Sequence, residues 1–312
     1  MIIKDCRIVY MGTPEISAYV LDKLILDGFN IVAVVSQPDR PVGRKREILP
    51  TPTKKVAEKY GIPVYQKEKI KLDYDFLYNI KPDLILTLAF GQIVPQGLLD
   101  IPKLGCLNLH GSLLPKYRGA APIQYALINN DDITGMSLMQ MTNKMDAGVV
   151  YATNSINIEE EDNSTSLFIK MADLAYQLAK TNIPLYIDGK LKGIEQKEEL
   201  VTFAPTIKKE EEKLDINYPI KKIYGYIRAL SEKPGAYFIF EDKIFKIYKA
   251  KIYSNEIKGK LGEFIESNSK HLLLQCVDGI LSIIELQVEG KGRTHYINFV
   301  NGHNNLVGKI VK

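Results

Sequence analysis

Cysteine is scarce in this 312-residue chain, and the three present, Cys6, Cys106 and Cys276, stand far apart. An odd number, with no Cys-x-x-Cys pair and no histidine at ligand spacing, argues against a disulfide framework and against a zinc site. A cytoplasmic location is therefore expected. Long apolar runs are missing too: the nearest to one, Leu84 to Phe90, is interrupted by Thr87 and falls far short of the roughly 20 residues that cross a bilayer. The N-terminus places Lys4, Asp5 and Arg7 where a signal peptide needs an apolar stretch, so it reads as a first strand, and neither export nor membrane association is expected. No repeat, low-complexity tract or heptad is found. With 46% apolar and 25% charged residues, the composition excludes fibrous and disordered classes, and the length suits two domains.

Charge is nearly balanced overall, 41 basic against 37 acidic side chains, but unevenly spread. From residue 206 onward there are 18 basic and 13 acidic residues. The segment from Pro38 to Tyr60 is a second basic surface, with Arg40, Arg44, Lys45, Arg46, Lys54, Lys55 and Lys59 against Asp39, Glu47 and Glu58. Two separated basic regions point to an extended polyanion as partner.

The first part of the chain alternates strand and helix signals. Apolar runs at Cys6 to Met11, Ile31 to Val35, Pro63 to Tyr65, Asp83 to Leu88 and Gly105 to His110 predict five strands. Helical patterns lie between several of them, and Thr13 and Pro14 are placed to open the first, whose face is Ile16, Val20, Leu21 and Leu24. Continuous rather than alternating Ile, Val and Leu predicts a parallel, doubly wound α/β sheet covered on both faces. Residues 36–53 lack any apolar period and predict a long functional loop. Thr165 to Ile187 carries Leu167, Met171, Leu174 and Leu178 at helical spacing, and a polar segment, Glu195 to Glu212, follows. Beyond residue 206, a helical pattern at Ile220 to Leu230 precedes short runs rich in Tyr, Ile, Phe and Val, which predict a small antiparallel β domain, plausible as a barrel. The domains expected are 1–205 and 206–312.

The segment from Leu104 to Gln124 carries the most chemistry. In a strand, Asn108 and His110 project to one face while Leu107 and Leu109 pack on the other. Both sit at a strand's carboxyl end just before Gly111, where open α/β sheets place ligand crevices. Asp146, between two apolar runs, is a third candidate: beside His110, its carboxylate would orient the imidazole. The first turn, Gly12-Thr13-Pro14, lacks the G-x-G-x-x-G fingerprint of a nicotinamide dehydrogenase.

The sequence resembles the methionyl-tRNA formyltransferase family over essentially its full length. The matching pieces are Gly12-Thr13-Pro14, the loop from Ser36 to Arg44, Leu107 to Pro115, Tyr117 to Gln124, Met139-Gln140-Met141 and Asp146-Ala147-Gly148. The resemblance implies a Rossmann-like catalytic domain followed by an OB-like β-barrel that binds tRNA. It implies Asn108, His110 and Asp146 as the catalytic trio, and Ser112, Leu113, Leu114 and Pro115 as the segment contacting folate. It also implies that Arg40, Arg44, Lys45 and Arg46 approach the acceptor arm of initiator methionyl-tRNA. The donor would be 10-formyltetrahydrofolate, with no metal, and the protein is expected to be a monomer. Two enzyme alternatives keep the same trio: a formyltransferase for an amino sugar nucleotide and a formyl-folate hydrolase. A non-enzymatic RNA-binding protein is the third. The chain departs from the family in having no Trp; Tyr237 stands where relatives commonly carry one.

Overall fold

A computed structural model describes residues 3–43, 46–303 and 305–312. These fall into two compact units. The first takes the chain through Ala120 with Thr134–Ile156 and Phe168–Ala204; the second takes Ala121–Ile133, Asn157–Leu167 and Pro205–Lys312.

The elements in chain order are β1 (Ile8–Gly12), α1 (Glu15–Leu26), β2 (Ile31–Ser36), β3 (Arg40–Val42), β4 (Glu47–Leu49), α2 (Pro52–Lys59), β5 (Val64–Gln66), α3 (Phe76–Ile80), β6 (Leu84–Leu88), α4 (Gln96–Leu99), β7 (Cys106–His110), α5 (Pro122–Ile128), β8 (Ile133–Gln140), β9 (Val150–Asn157) and α6 (Ser164–Ile187). A seven-stranded sheet of order β5-β2-β1-β6-β7-β8-β9 forms the first unit's centre. From β5 to β7 every pairing is parallel. All five residues of β1 and of β6 are buried, as continuous apolar runs require when both faces are covered. The five strands expected to be parallel are so, and the sheet extends beyond them through β8, which runs antiparallel to β7, with His110 opposite Ser137. The chain comes back along the edge of β7 in the opposite direction, a pairing that needs no covering crossover helix.

Two local expectations are corrected. Thr13 does not cap α1: its hydroxyl donates to the Phe90 carbonyl and accepts from the Gln37 N–H, tying together the loops that follow β1, β2 and β6. Pro14 takes the N-cap position instead. Residues 36–53 are not irregular throughout, since β3 and β4 form an antiparallel hairpin with Arg40 opposite Leu49. Strands of only three residues each are too short to show a period in the sequence. The α1 face is as expected, with Ile16, Val20, Leu21 and Leu24 buried. In α6, Leu167, Met171 and Leu178 are buried and Leu174 half-buried.

The second unit contains α7 (Ile220–Ala229), β10 (Ala236–Phe240), β11 (Lys243–Ser254), β12 (Phe264–Ser267), β13 (Leu272–Cys276), β14 (Gly279–Val288), β15 (Thr294–His295) and α8 (Tyr296–Asn301). Strand order is β10-β11-β14-β13-β12, every one of these pairings antiparallel. The last residues of the chain run between the outer strands. Ile239 on β10 exchanges both backbone hydrogen bonds with Lys312, and Val311 and Lys309 bond to Gly262 and Phe264 on the β12 side. The sheet is thereby closed into a barrel. Inside, Phe240, Phe245, Phe264 and Phe299 meet edge to face at centroid distances of 5.3–6.0 Å. The helical pattern at Ile220 to Leu230 is α7, on which Tyr224 and Tyr226 are buried.

Candidate active site

Strand β7 delivers Asn108 and His110 to one face because they are two residues apart. His110 is buried, 5% exposed, and Asn108 half-buried. The His110 ring is held from two sides: Nε2 is 2.8 Å from the Tyr117 carbonyl oxygen, and Nδ1 lies 3.6 Å from Asp146 Oδ2. A carbonyl can only accept, so the proton at Nε2 is fixed by Tyr117. Asp146 Oδ2 also accepts from the Gly119 N–H at 2.9 Å. Asp146 itself has φ +50, a left-handed conformation that aspartate tolerates better than most residues. The structure therefore brings His110 and Asp146 together, with Asn108 on the same strand face.

The residues that fix this arrangement include several that sequence reasoning missed. Tyr117, at φ +61, presents its carbonyl to His110 while its N–H donates to Thr202 Oγ1 at 2.9 Å. Gln196 Nε2 donates to both the Asp146 and the Gly148 carbonyls, each at 2.8 Å. Arg118, only 6% exposed, donates to Gln196 Oε1 and to Glu198, and its guanidinium holds the Glu198 carboxyl below the usual range. The polar segment after α6 thus folds back as a strap, pairing with β9 at Ile194 and with Arg118 at Phe203. Sequence offered only its polarity as a signal, and that reads as a linker. Glycine is required at two of these points. Gly119, at φ +126, leaves 2.6 Å between a Cβ and the Ala204 carbonyl oxygen, and a Cβ on Gly148 would collide with the Gln140 carbonyl.

In the segment Ser112–Pro115, Ser112 is fully buried, and its hydroxyl donates to the Lys116 carbonyl at 2.6 Å. Ser137 Oγ donates to the Ser112 carbonyl and accepts the Leu114 N–H, so β8 sets the path of this loop. Leu113, Leu114 and Pro115 are half-buried. Two polar groups beside them are unengaged. Among the described residues, the Asn108 carboxamide makes no hydrogen bond, and Thr87 Oγ1 is buried with no partner. A buried hydroxyl left unpaired costs roughly 1–3 kcal/mol.

Of the basic loop residues, Arg40 is exposed and pairs with Glu68 at 2.6 Å, and Arg46, exposed, has φ +52. Arg44 and Lys45 lie outside the described residues. The hairpin's base is wired firmly. Asp39 accepts from Lys54 Nζ at 2.6 Å and from Gln66 Nε2 at 2.6 Å, while Gln37 Nε2 reaches the Phe90 carbonyl. Burial raises the Asp39 pKa, but these donors outweigh it and hold the carboxyl below its usual range. In the second unit, Lys221, Lys243 and Lys249 are exposed, whereas Lys251 pairs with Glu161 and Lys246 donates to the Pro234 carbonyl. Among the described residues, no three His, Cys, Asp or Glu side chains gather as a metal ligand set, and no helix is long and apolar enough to cross a membrane.

A largely parallel sheet with a histidine and a carboxylate at its carboxyl edge is thus joined in sequence to a closed barrel. The family model for formyl transferase matches residues 6–183, and that for the formyl transferase C-terminal domain matches 206–304. The chain belongs to the formyl transferase family. Among its relatives, the methionyl-tRNA formyltransferase of Staphylococcus epidermidis is 42% identical over 309 residues, 98% of this chain and 99% of that protein. Among solved structures, a methionyl-tRNA formyltransferase from Clostridium thermocellum shares the fold with a TM-score of 0.57 at 16% identity, covering 91% of this chain and 98% of that one. HypX from Aquifex aeolicus, solved with tetrahydrofolic acid, aligns with a TM-score of 0.65 at 18% identity, covering 94% of this chain and 46% of HypX. The chain spans about half the length of HypX.

Proposed function

We propose that the protein transfers the formyl group of 10-formyltetrahydrofolate to the α-amino group of methionyl initiator tRNA, in the cytoplasm, as a step of translation initiation. The observation that carries this reading is the likeness to a methionyl-tRNA formyltransferase across both units, 42% identity over 98% of the chain.

In the reaction proposed, the neutral amine adds to the formyl carbon and the C=O bond opens to an oxyanion. Collapse of that tetrahedral centre breaks the bond to N10, which takes up a proton, while the attacking amine gives one up. Asn108 is the donor for the oxyanion, because its carboxamide has no other engagement. His110 supplies a second N–H by exchanging the Tyr117 carbonyl for the reacting oxygen, and Asp146 keeps the ring aligned and helps to carry away the proton that the amine gives up. Loss of one oxyanion donor in comparable sites costs roughly a hundred- to a thousandfold in rate. The amine is a competent nucleophile by itself, so the mechanism proposed uses no metal. Residues 1–205 form the catalytic region and 206–312 the tRNA-binding region in this reading. Ser112, Leu113, Leu114 and Pro115 line the folate; the internally bonded Ser112 hydroxyl leaves it the task of shaping the loop. Arg40, Arg44, Lys45 and Arg46 meet the tRNA acceptor arm, and exposed lysines such as Lys221, Lys243 and Lys249 add phosphate contacts. The protein works as a monomer.

A formylation assay tests this with 10-formyltetrahydrofolate and methionyl-initiator tRNA, run beside elongator methionyl-tRNA and a folate-only blank. Transfer to the initiator alone is expected. Folate turnover without labelled tRNA would move the acceptor to an amino sugar or to water, and no turnover would leave an RNA-binding protein.

A further inference from the structure

We propose that Thr87 is a positioning residue for the reaction, its hydroxyl setting the orientation of the Asn108 carboxamide; this rests on the reading of Asn108 given above. Thr87 lies on β6 between two parallel neighbours, paired with Met11 of β1 on one side and Asn108 of β7 on the other. Residues in register on adjacent parallel strands point to the same face, about 4.8 Å apart. The two side chains therefore stand next to each other at the strands' carboxyl edge.

The surroundings of Thr87 give its hydroxyl no structural task. The residue is 5% exposed, and its β6 neighbours Ile85 and Leu86 are fully buried apolar residues. Valine has the same shape and a strong preference for strands, and would fill this place without bringing a polar atom into it. Elsewhere among the described residues, buried side-chain nitrogens and oxygens find partners, and Thr87 Oγ1 is the exception. A carboxamide can present either its oxygen or its NH2 to a substrate. Asn108 has no hydrogen bond that chooses between them, and Thr87 is its neighbour in register. When Thr87 Oγ1 accepts one N–H of Asn108, the other N–H is left to face the formyl oxygen, which is the orientation that stabilises an oxyanion.

The test compares Thr87→Val, Thr87→Ser, Asn108→Ala and the double variant Thr87→Val/Asn108→Ala, reading kcat, the KM for tRNA and the melting temperature. Thr87→Val is expected to lower kcat by roughly tenfold through misorientation of a donor, with the KM for tRNA unchanged. Its melting temperature should hold or rise, because a methyl group replaces an unpaired buried hydroxyl. Thr87→Ser, which keeps the hydroxyl, should retain most of the activity. In the double variant Thr87→Val should add nothing to the loss from Asn108→Ala. Wild-type kcat in Thr87→Val, or a loss additive with that of Asn108→Ala, would overturn the role of Thr87 while leaving Asn108 catalytic. A fall in melting temperature that tracks the loss of activity would reduce Thr87 to a packing residue. Full turnover in Asn108→Ala would overturn the reading of the site and the Thr87 proposal together.

Discussion

Gln275 on β13 and Asn108 on β7 are both amide side chains on strands at the centre of a sheet, and the two units treat them in opposite ways. Gln275 is 1% exposed and fully engaged. Its oxygen accepts the N–H groups of Lys258 and Gly259, and its nitrogen reaches the carbonyls of Glu256, Cys276 and Gly279. It is a clasp that gathers two loops at one end of the barrel. Asn108 is half-buried and its carboxamide makes no hydrogen bond among the described residues, and the hydroxyl of its neighbour Thr87 is buried there without a partner. A satisfied buried amide specifies structure, whereas a buried polar atom without a partner, such as Thr87 Oγ1, carries a cost that structure does not recover. In the reading proposed above, the contrast separates an amide that holds loops together from one left available to a substrate.

The largest effects that could break this contrast are catalytic. His110→Ala and Asp146→Ala should each lower turnover by at least roughly a hundred- to a thousandfold with tRNA affinity and melting temperature nearly unchanged; a variant with wild-type turnover removes that residue from the site. Gln275→Leu should do the reverse. Breaking its network should cost roughly 2–4 kcal/mol of stability, measured by denaturant unfolding, while the folded fraction keeps its turnover under permissive conditions. Smaller, and lying between the two classes, Gln196→Ala should lower kcat by about tenfold by loosening Asp146, with unfolding little altered. Charge reversal at Arg46 should weaken tRNA use, lowering the slope of log affinity against log salt by about one for each phosphate the loop no longer neutralises, and leave folate binding alone. The smallest effect concerns the thiols. Burial pushes Cys106 and Cys276 up to about 12 and Cys6 up to about 11 from an ordinary 9.0. The folded state then keeps these protons after the unfolded chain has released them, so stability should decline as pH rises from 9 toward 12. Below pH 9 the thiols should resist iodoacetamide unless the chain is unfolded.

Much of the candidate site's strand β7 was legible because its signal is local. The two-residue spacing that puts Asn108 and His110 on one face is a property of five consecutive residues, and the structure reproduces it within β7. Five strands of the seven-stranded sheet were readable from their apolar runs, and the β domain from its short runs rich in Tyr, Ile, Phe and Val. What escaped is the meeting of residues remote in sequence. Gln196 stands 50 positions from Asp146 and Thr202 stands 85 from Tyr117, and nothing in a polar stretch says where it docks. Thr13 misled for a related reason. The local role that its residue type suggests is a helix cap, and a distant partner, the Phe90 carbonyl, claimed the side chain.

The strap between α6 and the second unit also bears on how the enzyme fails when heated. Its residues are mostly exposed, and it is held by two isolated backbone pairings and a few side chains rather than by a core. Segments of this kind open at free energies well below that of global unfolding. When this one lifts, Gln196 leaves Asp146 and Thr202 leaves Tyr117, so the histidine loses its alignment in a molecule whose sheets are still intact. Inactivation on warming should therefore precede the calorimetric transition and reverse on cooling, making the strap the temperature limit of activity.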